Sequence, residues 1–303
     1  MKITDYLSKD EITHFTRKDD MEAFKILLIN WVMVFAVMYV AWRWTNPITL
    51  LLAVIILGGR QLGLSVLMHE CGHRTFFKTA KYNDWVGQWL CAMPVMSELH
   101  SYAKGHLKHH QLAGTTEDPD LSNYQNYPVS KDSFTRKIKR DLTGQTGSKL
   151  LAFIFQGAGD FVSRESREGS KPFVQALGVQ VVLFLVISIL MAPWVYLLWV
   201  ASFLTTYMLF VRLRQIAEHA AVPDLNDLDP RKNTRTTLAN WWERMLLAPN
   251  SVNYHMEHHF MAGVPCYRLA EFHQALKEKG AYEDTPIFAS YPDVFRHAVK
   301  SAA

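Results

Sequence analysis

Residues 47–73 read PITLLLAVIILGGRQLGLSVLMHECGH. Residues 47–68 are almost wholly apolar, and the run ends on His69-Glu70-Cys71-Gly72-His73. A helix rises about 1.5 Å per residue, so about twenty residues cross a hydrocarbon core of about 30 Å. The stretch predicts a membrane-crossing helix that carries His69 to the bilayer surface. Residues four apart share a helix face, so His69 and His73 project together. Arg60 is the one charge inside the run. At spanning depth a charge costs about 2.5–3.5 kcal/mol on insertion scales unless it is paired or solvated. Arg60 is therefore expected either to snorkel to the cytoplasmic surface or to pair with a carboxylate below the histidines or with a lipid headgroup.

The neighbouring runs extend the pattern. Residues 24–44 form an earlier apolar run with Asn30 in its interior and Trp42 and Trp44 at its far end, where amphipathic rings favour the interface. Thr45-Asn46-Pro47 makes a short turn. Residues 172–191 and 194–213 are a third and a fourth run, joined at Ala192-Pro193. Residues 81–96 are too short and too polar at their ends to span, and are expected to be re-entrant or to lie on the surface. Residues 98–171 are polar and carry Lys131, Arg136, Lys137, Lys139 and Arg140, an excess that marks the cytoplasmic side. Within them, residues 150–155 are apolar enough to rest on the membrane surface.

The expected fold is all-α and integral to the membrane, one domain over residues 1–303. Residues 1–22 form a cytoplasmic lead-in. Four transmembrane helices (24–44, 47–68, 172–191, 194–213) form two hairpins. Residues 98–171 and 214–303 supply a cytoplasmic helical cap. An even number of crossings puts both termini and every histidine cluster on one side; an odd number would split the clusters across the bilayer.

Composition agrees. Hydrophobic residues make up 49% of 303, yet mean hydropathy is only −0.03, because apolar runs alternate with very polar stretches. The net charge of +4 is mild, and the basic residues sit beside apolar runs, so nothing calls for a nucleic-acid partner. Cys71, Cys91 and Cys266 form no CxxC pair, which argues against a disulfide framework or a CxxC zinc site. The polar N-terminus has no apolar core of a cleaved signal peptide.

Two further clusters share the histidine spacing: His106-Leu107-Lys108-His109-His110 and His255-Met256-Glu257-His258-His259. Each is expected to present its imidazoles on one helix face. Eight imidazoles in three sets exceed the four ligands of a structural zinc, which argues for two ions. Imidazole suits iron, copper, zinc and nickel, so ligand type does not name the metal. His69-Glu70-Cys71-Gly72-His73 also satisfies HExxH, with Glu70 as the general base of an intramembrane zinc protease. That alternative leaves two HxxHH sets without purpose. A metal transporter or sensor is disfavoured because the histidines stand outside the spans, which lack the ligand residues of a pathway.

HxxxH, then HxxHH, then HxxHH, each beside an apolar segment, resembles the membrane fatty acid desaturase and hydroxylase superfamily, from the first apolar run to Leu276. The resemblance implies an O2-dependent oxidoreductase with two irons (a di-iron centre). Its ligands would be His69, His73, His106, His109, His110, His255, His258 and His259. His219, just after the last span, matches an extra iron-binding histidine of relatives. Gln215 stands one turn earlier, where some relatives place an Asn that reaches the metal through water. Carboxylates commonly orient ligand imidazoles through the other ring nitrogen; Glu70, Glu218, Glu257, Asp118 and Asp120 are the candidates. Asp120 fits a capped turn equally well. His100 is at most peripheral, and His14, His273 and His297 read as ordinary surface residues.

The same resemblance implies removal of two hydrogens from a fatty acyl chain, on a lipid or a carrier, entering from the membrane. Hydroxylases and ketolases share the pattern. His255 in place of Gln, and the lack of His-Pro-Gly-Gly, argue against a front-end desaturase with a fused cytochrome. Electrons would come from a separate ferredoxin or cytochrome b5 type carrier and its reductase, steered by basic cytoplasmic residues. The expected location is a bacterial inner membrane with the active site cytoplasmic.

Overall fold

Long apolar runs form helices because a backbone removed from water must satisfy its own polar groups. The computed structural model describes residues 2–163, 167–283 and 285–300, with the side chains of 156–171 outside that description. Helix α1 (Lys9–Phe15) precedes two long helices, α2 (Asp20–Arg43) and α3 (Pro47–Gly72). Asp19 starts α2 by accepting from the Met21 and Glu22 amides. Asn46 starts α3 by accepting from Ile48 and Thr49, with Pro47 at the first helical position. Along α2 the buried residues are Ala23, Leu27, Asn30, Val34, Met38 and Ala41, the three-and-four spacing of a single stripe. Its other faces expose Leu28, Ile29, Val32, Tyr39 and Val40. By contrast α3 is buried on every side from Leu57 to Cys71 and is the axis of the molecule.

The chain continues through α4 (Ala80–Val86), a π turn (Gly87–Ala92), α5 (Leu99–Leu112), α6 (Lys131–Leu142), α7 (Gln145–Ser163) and α8 (Arg167–Leu190). Next come α9 (Tyr196–Ser202), a second π turn (Phe203–Tyr207) and α10 (Met208–His219). The remainder folds as α11 (Trp241–Leu246), α12 (His255–Phe260), α13 (Leu269–Glu278) and α14 (Tyr291–Ala298). Four helical segments are long and apolar enough to cross a membrane: Lys9–Arg43, Pro47–Gly72, Pro172–Leu190 and Pro193–His219. They coincide with the four expected runs. The all-α expectation holds among the described residues, where the one strand pair is Val129–Ser130 beside Val299–Lys300.

Residues 81–96 do not lie on a surface by themselves. Val86, Cys91, Ala92 and Met93 are buried, and the segment packs along α3. Two glycines let α3 approach its neighbours closely. A Cβ on Gly58 would stand 2.2 Å from Thr206 Oγ1, and one on Gly59 2.7 Å from the Met245 carbonyl oxygen. Small residues at such crossings allow backbones to touch. The chain ends also meet: Phe15 of α1 packs on Phe272 of α13 at 5.3 Å between ring centroids, and Lys279 pairs with Glu11 at 2.7 Å.

Arg60 corrects both expectations. It is 5% exposed, so it does not snorkel, and its partners are neither a carboxylate nor a headgroup. It donates to Asn30 Oδ1 at 3.3 Å and to the Met245 carbonyl, tying α2, α3 and α11 together. Replacing one member of a buried hydrogen-bonded set costs about 1–3 kcal/mol per group left unpaired. Arg60→Leu should therefore lower the thermal midpoint of the purified protein by several degrees. An unchanged midpoint would show that these bonds carry no stability.

Candidate metal centre

Four helices bring nine imidazoles to one end of α3. His69 lies on its last turn and His73 caps it. Helix α5 supplies His106, His109 and His110, α10 ends on His219, and α12 supplies His255, His258 and His259. The ligand atoms fall into two groups, each with all members within 4.8 Å of one another. One holds His69, His73, His106, His110 and His258; the other holds His109, His219, His255 and His259. The His110 and His259 rings, 4.2 Å apart between centroids, join them.

This sorting corrects the expectation that each cluster presents a single face. The i,i+4 pairs His69/His73, His106/His110 and His255/His259 stay together. His109 and His258 cross to the other group. At about 100° per residue, positions i+3 and i+4 diverge by a full step, enough to straddle two centres.

The ring nitrogens meet head-on. Nε2 of His110 lies 3.0 Å from Nε2 of His106 and 3.0 Å from that of His258. Nε2 of His255 lies 2.8 Å from that of His219 and 3.1 Å from that of His259. These contacts cannot all be hydrogen bonds. His219 Nδ1 is 3.2 Å from the Asn233 carbonyl oxygen, so Nδ1 carries the proton and Nε2 a lone pair. His109 Nδ1 likewise donates to Asp118 Oδ1 at 2.8 Å. A cation between the rings would satisfy all of these facing nitrogens at once. A metal–nitrogen bond of about 2.1 Å spans about 3 Å between ligands at right angles. The Nε2 atoms of His69 and His73 are sealed from water with no protein partner. Burial, and next to it the neighbouring imidazoles, hold His106, His255, His258 and His259 well below the usual histidine range. They are neutral, as metal ligands must be. The residues present thus suit two imidazole-bound metal ions.

Behind the rings stand carboxylates. Asp118 accepts from His109, from the Tyr124 hydroxyl and from the Asp120 amide at 2.9 Å. Burial works against its charge, but these bonds prevail and keep the carboxyl below its ordinary range. Glu218 lies 3.4 Å from His255 Nδ1 and takes a 2.5 Å bond from Arg214 Nε. Glu70 is 3.2 Å from His69 Nδ1, and its other oxygen accepts from Thr75 and from the Cys266 amide. Asp120 is 3.9 Å from His109 Nδ1.

Glu257 departs from expectation. It accepts from Thr236, from His273 Nδ1 at 2.5 Å and from the Tyr282 hydroxyl at 2.6 Å, and none of its described bonds reaches a cluster imidazole. It anchors α12 to the C-terminal segment. His273 is accordingly buried at 7% exposure and is no surface residue, while His14, His100 and His297 are exposed. Its α13 neighbours Leu269, Phe272 and Leu276 show the apolar stripe from which the burial of His273 could have been read.

A cavity of about 420 Å³ adjoins the second group, lined by His109, His219 and His255 together with Tyr102, Arg214, Gln215 and others. Gln215 lines this cavity, and its hydrogen bonds include none to a histidine among the described residues.

The sequence model of the fatty acid desaturase family matches residues 44–291. Among curated proteins, the chain is 29% identical to dihydrorhizobitoxine desaturase of Bradyrhizobium elkanii, over 80% of this chain and 69% of that one. It is 24% identical to the sn-1 oleoyl-lipid 12-desaturase of Arthrospira platensis, over 83% and 75%. It is also 24% identical to the sn-1 acyl-lipid omega-3 desaturase (ferredoxin) of Synechocystis sp., over 75% and 68%. With three histidine clusters gathered at the end of a membrane-length helix, and a family match over most of its length, this chain belongs to the fatty acid desaturase family, and is a membrane oxidoreductase.

Proposed function

We propose that the nine histidines bind two irons and that the centre desaturates an aliphatic chain. The single observation that carries this is the pair of imidazole groups whose lone pairs face one another at about 3 Å. His69, His73, His106, His110 and His258 would hold one iron, and His109, His219, His255 and His259 the other. When bound, the pair of irons supplies the oxidising power toward an unactivated C–H bond that no side chain has. The balance is fixed: R–CH2–CH2–R′, O2, two electrons and two protons give R–CH=CH–R′ and two waters. The two electrons come from a separate one-electron carrier of ferredoxin or cytochrome b5 type. Asp118, Glu218 and Glu70 fix ring orientation through the Nδ1 atoms. The protease alternative loses support, because Glu70 is engaged by Thr75 and the Cys266 amide and is not free as a base.

In this proposal residues 1–303 form one domain with two helical hairpins in a bacterial inner membrane. Both termini, the histidines and the cap face the cytoplasm, beside the basic residues of α6. The substrate is an aliphatic chain of fatty acyl type. The relatives' names span dihydrorhizobitoxine and lipid-bound oleoyl chains, and do not choose a headgroup.

Metal analysis of the purified full-length chain should find about two irons. One zinc per chain would instead favour a peptidase. His258→Ala should make one of the two irons easier to strip with a chelator and leave the other as tightly held as before, because the four-histidine site keeps all its ligands; equal weakening of both irons would refute the assignment. Asp118→Asn removes a charge behind His109 and should weaken retention of one iron about 10–100-fold against a chelator. Glu257→Gln, which removes an anchor of α12 and touches no cluster imidazole, should lower the thermal midpoint more than it weakens iron retention.

A further inference from the structure

The cavity beside the second histidine group has a wall of mixed character, in which apolar surface is set with many polar groups. A pocket for a hydrocarbon is lined mainly by apolar side chains, with few polar groups to fix orientation. Here all but five of the lining residues (Leu62, Met68, Gly105, Pro119 and Val211) carry a polar side-chain atom. The hydroxyls of Ser65 on α3 and Tyr207 on the second π turn, both lining residues, close on each other at 2.8 Å.

Arg214 dominates this wall. Its side chain is 13% exposed, and its Nε donates to Glu218. Among the described residues no acceptor takes a hydrogen from its two terminal nitrogens, and neither nitrogen is sealed from solvent-sized space. These donors face the cavity, where an incoming acceptor can take them in place of water. Its planar fork matches a carboxylate in bidentate fashion. The other acids on this wall do not take that place: Glu218 is already bound at Nε, and the Asp120 side chain is 47% exposed at the rim. His219 and Glu218 follow Arg214 by about one helical turn, so a group held by its fork lies close to the proposed iron ligands.

We infer that the substrate carries a free carboxylate, held by Arg214 in the cavity beside the second histidine group. This rests on the desaturase reading of the histidine centre and makes its substrate a free acid and not an esterified lipid chain. Tyr102, Gln215 and Asn123, which share the wall, would contact the polar part of the molecule.

The test uses iron-loaded full-length protein in dioleoyl-phosphatidylcholine nanodiscs, with hexanoate and methyl hexanoate as a matched pair. Calorimetry should show hexanoate binding at least tenfold tighter than its ester. Arg214→Gln should abolish that preference. Because Glu218 links Arg214 to His255, that variant is read only where iron content is retained; Gly105→Leu supplies an independent arm. Gly105 lines the cavity, and a Cβ there meets nothing within 4 Å, so the larger side chain enters open space on a folded helix. It should block hexanoate binding with iron unchanged. Equal binding of acid and ester, or hexanoate binding untouched by Gly105→Leu, would overturn the inference. So would new double bonds appearing in the nanodisc lipid, a result that leaves the desaturase reading intact. Absence of iron would defeat that reading, whereas the binding comparison judges the acid site by itself.

Discussion

Lone pairs of imidazole nitrogens do not tolerate one another at 3 Å unless a cation lies between them. Nine such rings are pressed together here, with the protons of His109 and His219 drawn off to the far side by Asp118 and the Asn233 carbonyl. Positive charge at the centre would turn these crowded contacts into mutually supporting ones. Much of the surrounding architecture keeps those rings in register. Helix α3 presents His69 at a fixed depth, α12 is anchored through Glu257, and the Arg60 bonds join α11 to α2 and α3. A ligand set drawn from four helices exists only in the folded chain, so any metal held there would be linked to folding.

The parts of this design visible in the sequence are those set by local periodicity. Apolar runs of about twenty residues mark the spans, and the i,i+4 spacing places His69 with His73, His106 with His110 and His255 with His259. The crossing of His109 and His258 to the opposite group was hidden, because spacing along one helix does not say where a second helix will stand. The same limit explains His273. The apolar stripe of its helix pointed to burial of His273, but its partner Glu257, sixteen residues earlier, belongs to tertiary packing. Arg60 was recognisable as an anomaly, but its acceptors, Asn30 and a backbone carbonyl of α11, belong to tertiary packing. Glycines 58 and 59 were the available hint that something must approach α3 at that height.

Substrate choice was the least legible feature. The residues that wall the cavity come from α3, α5 and its flanks, the second π turn, α10 and α12, and no contiguous motif contains them. They combine apolar surface with polar groups, so family membership alone does not tell what they hold. Shared histidine clusters fix an oxidising centre, and that centre is indifferent to which C–H bonds are brought to it. Selection must come from the wall, and Arg214 is the wall residue whose burial demands an explanation. Its partner Glu218 stands 3.4 Å from the His255 ring, so the group proposed to recognise the substrate lies beside the histidine cluster, and selection and oxidation share one wall.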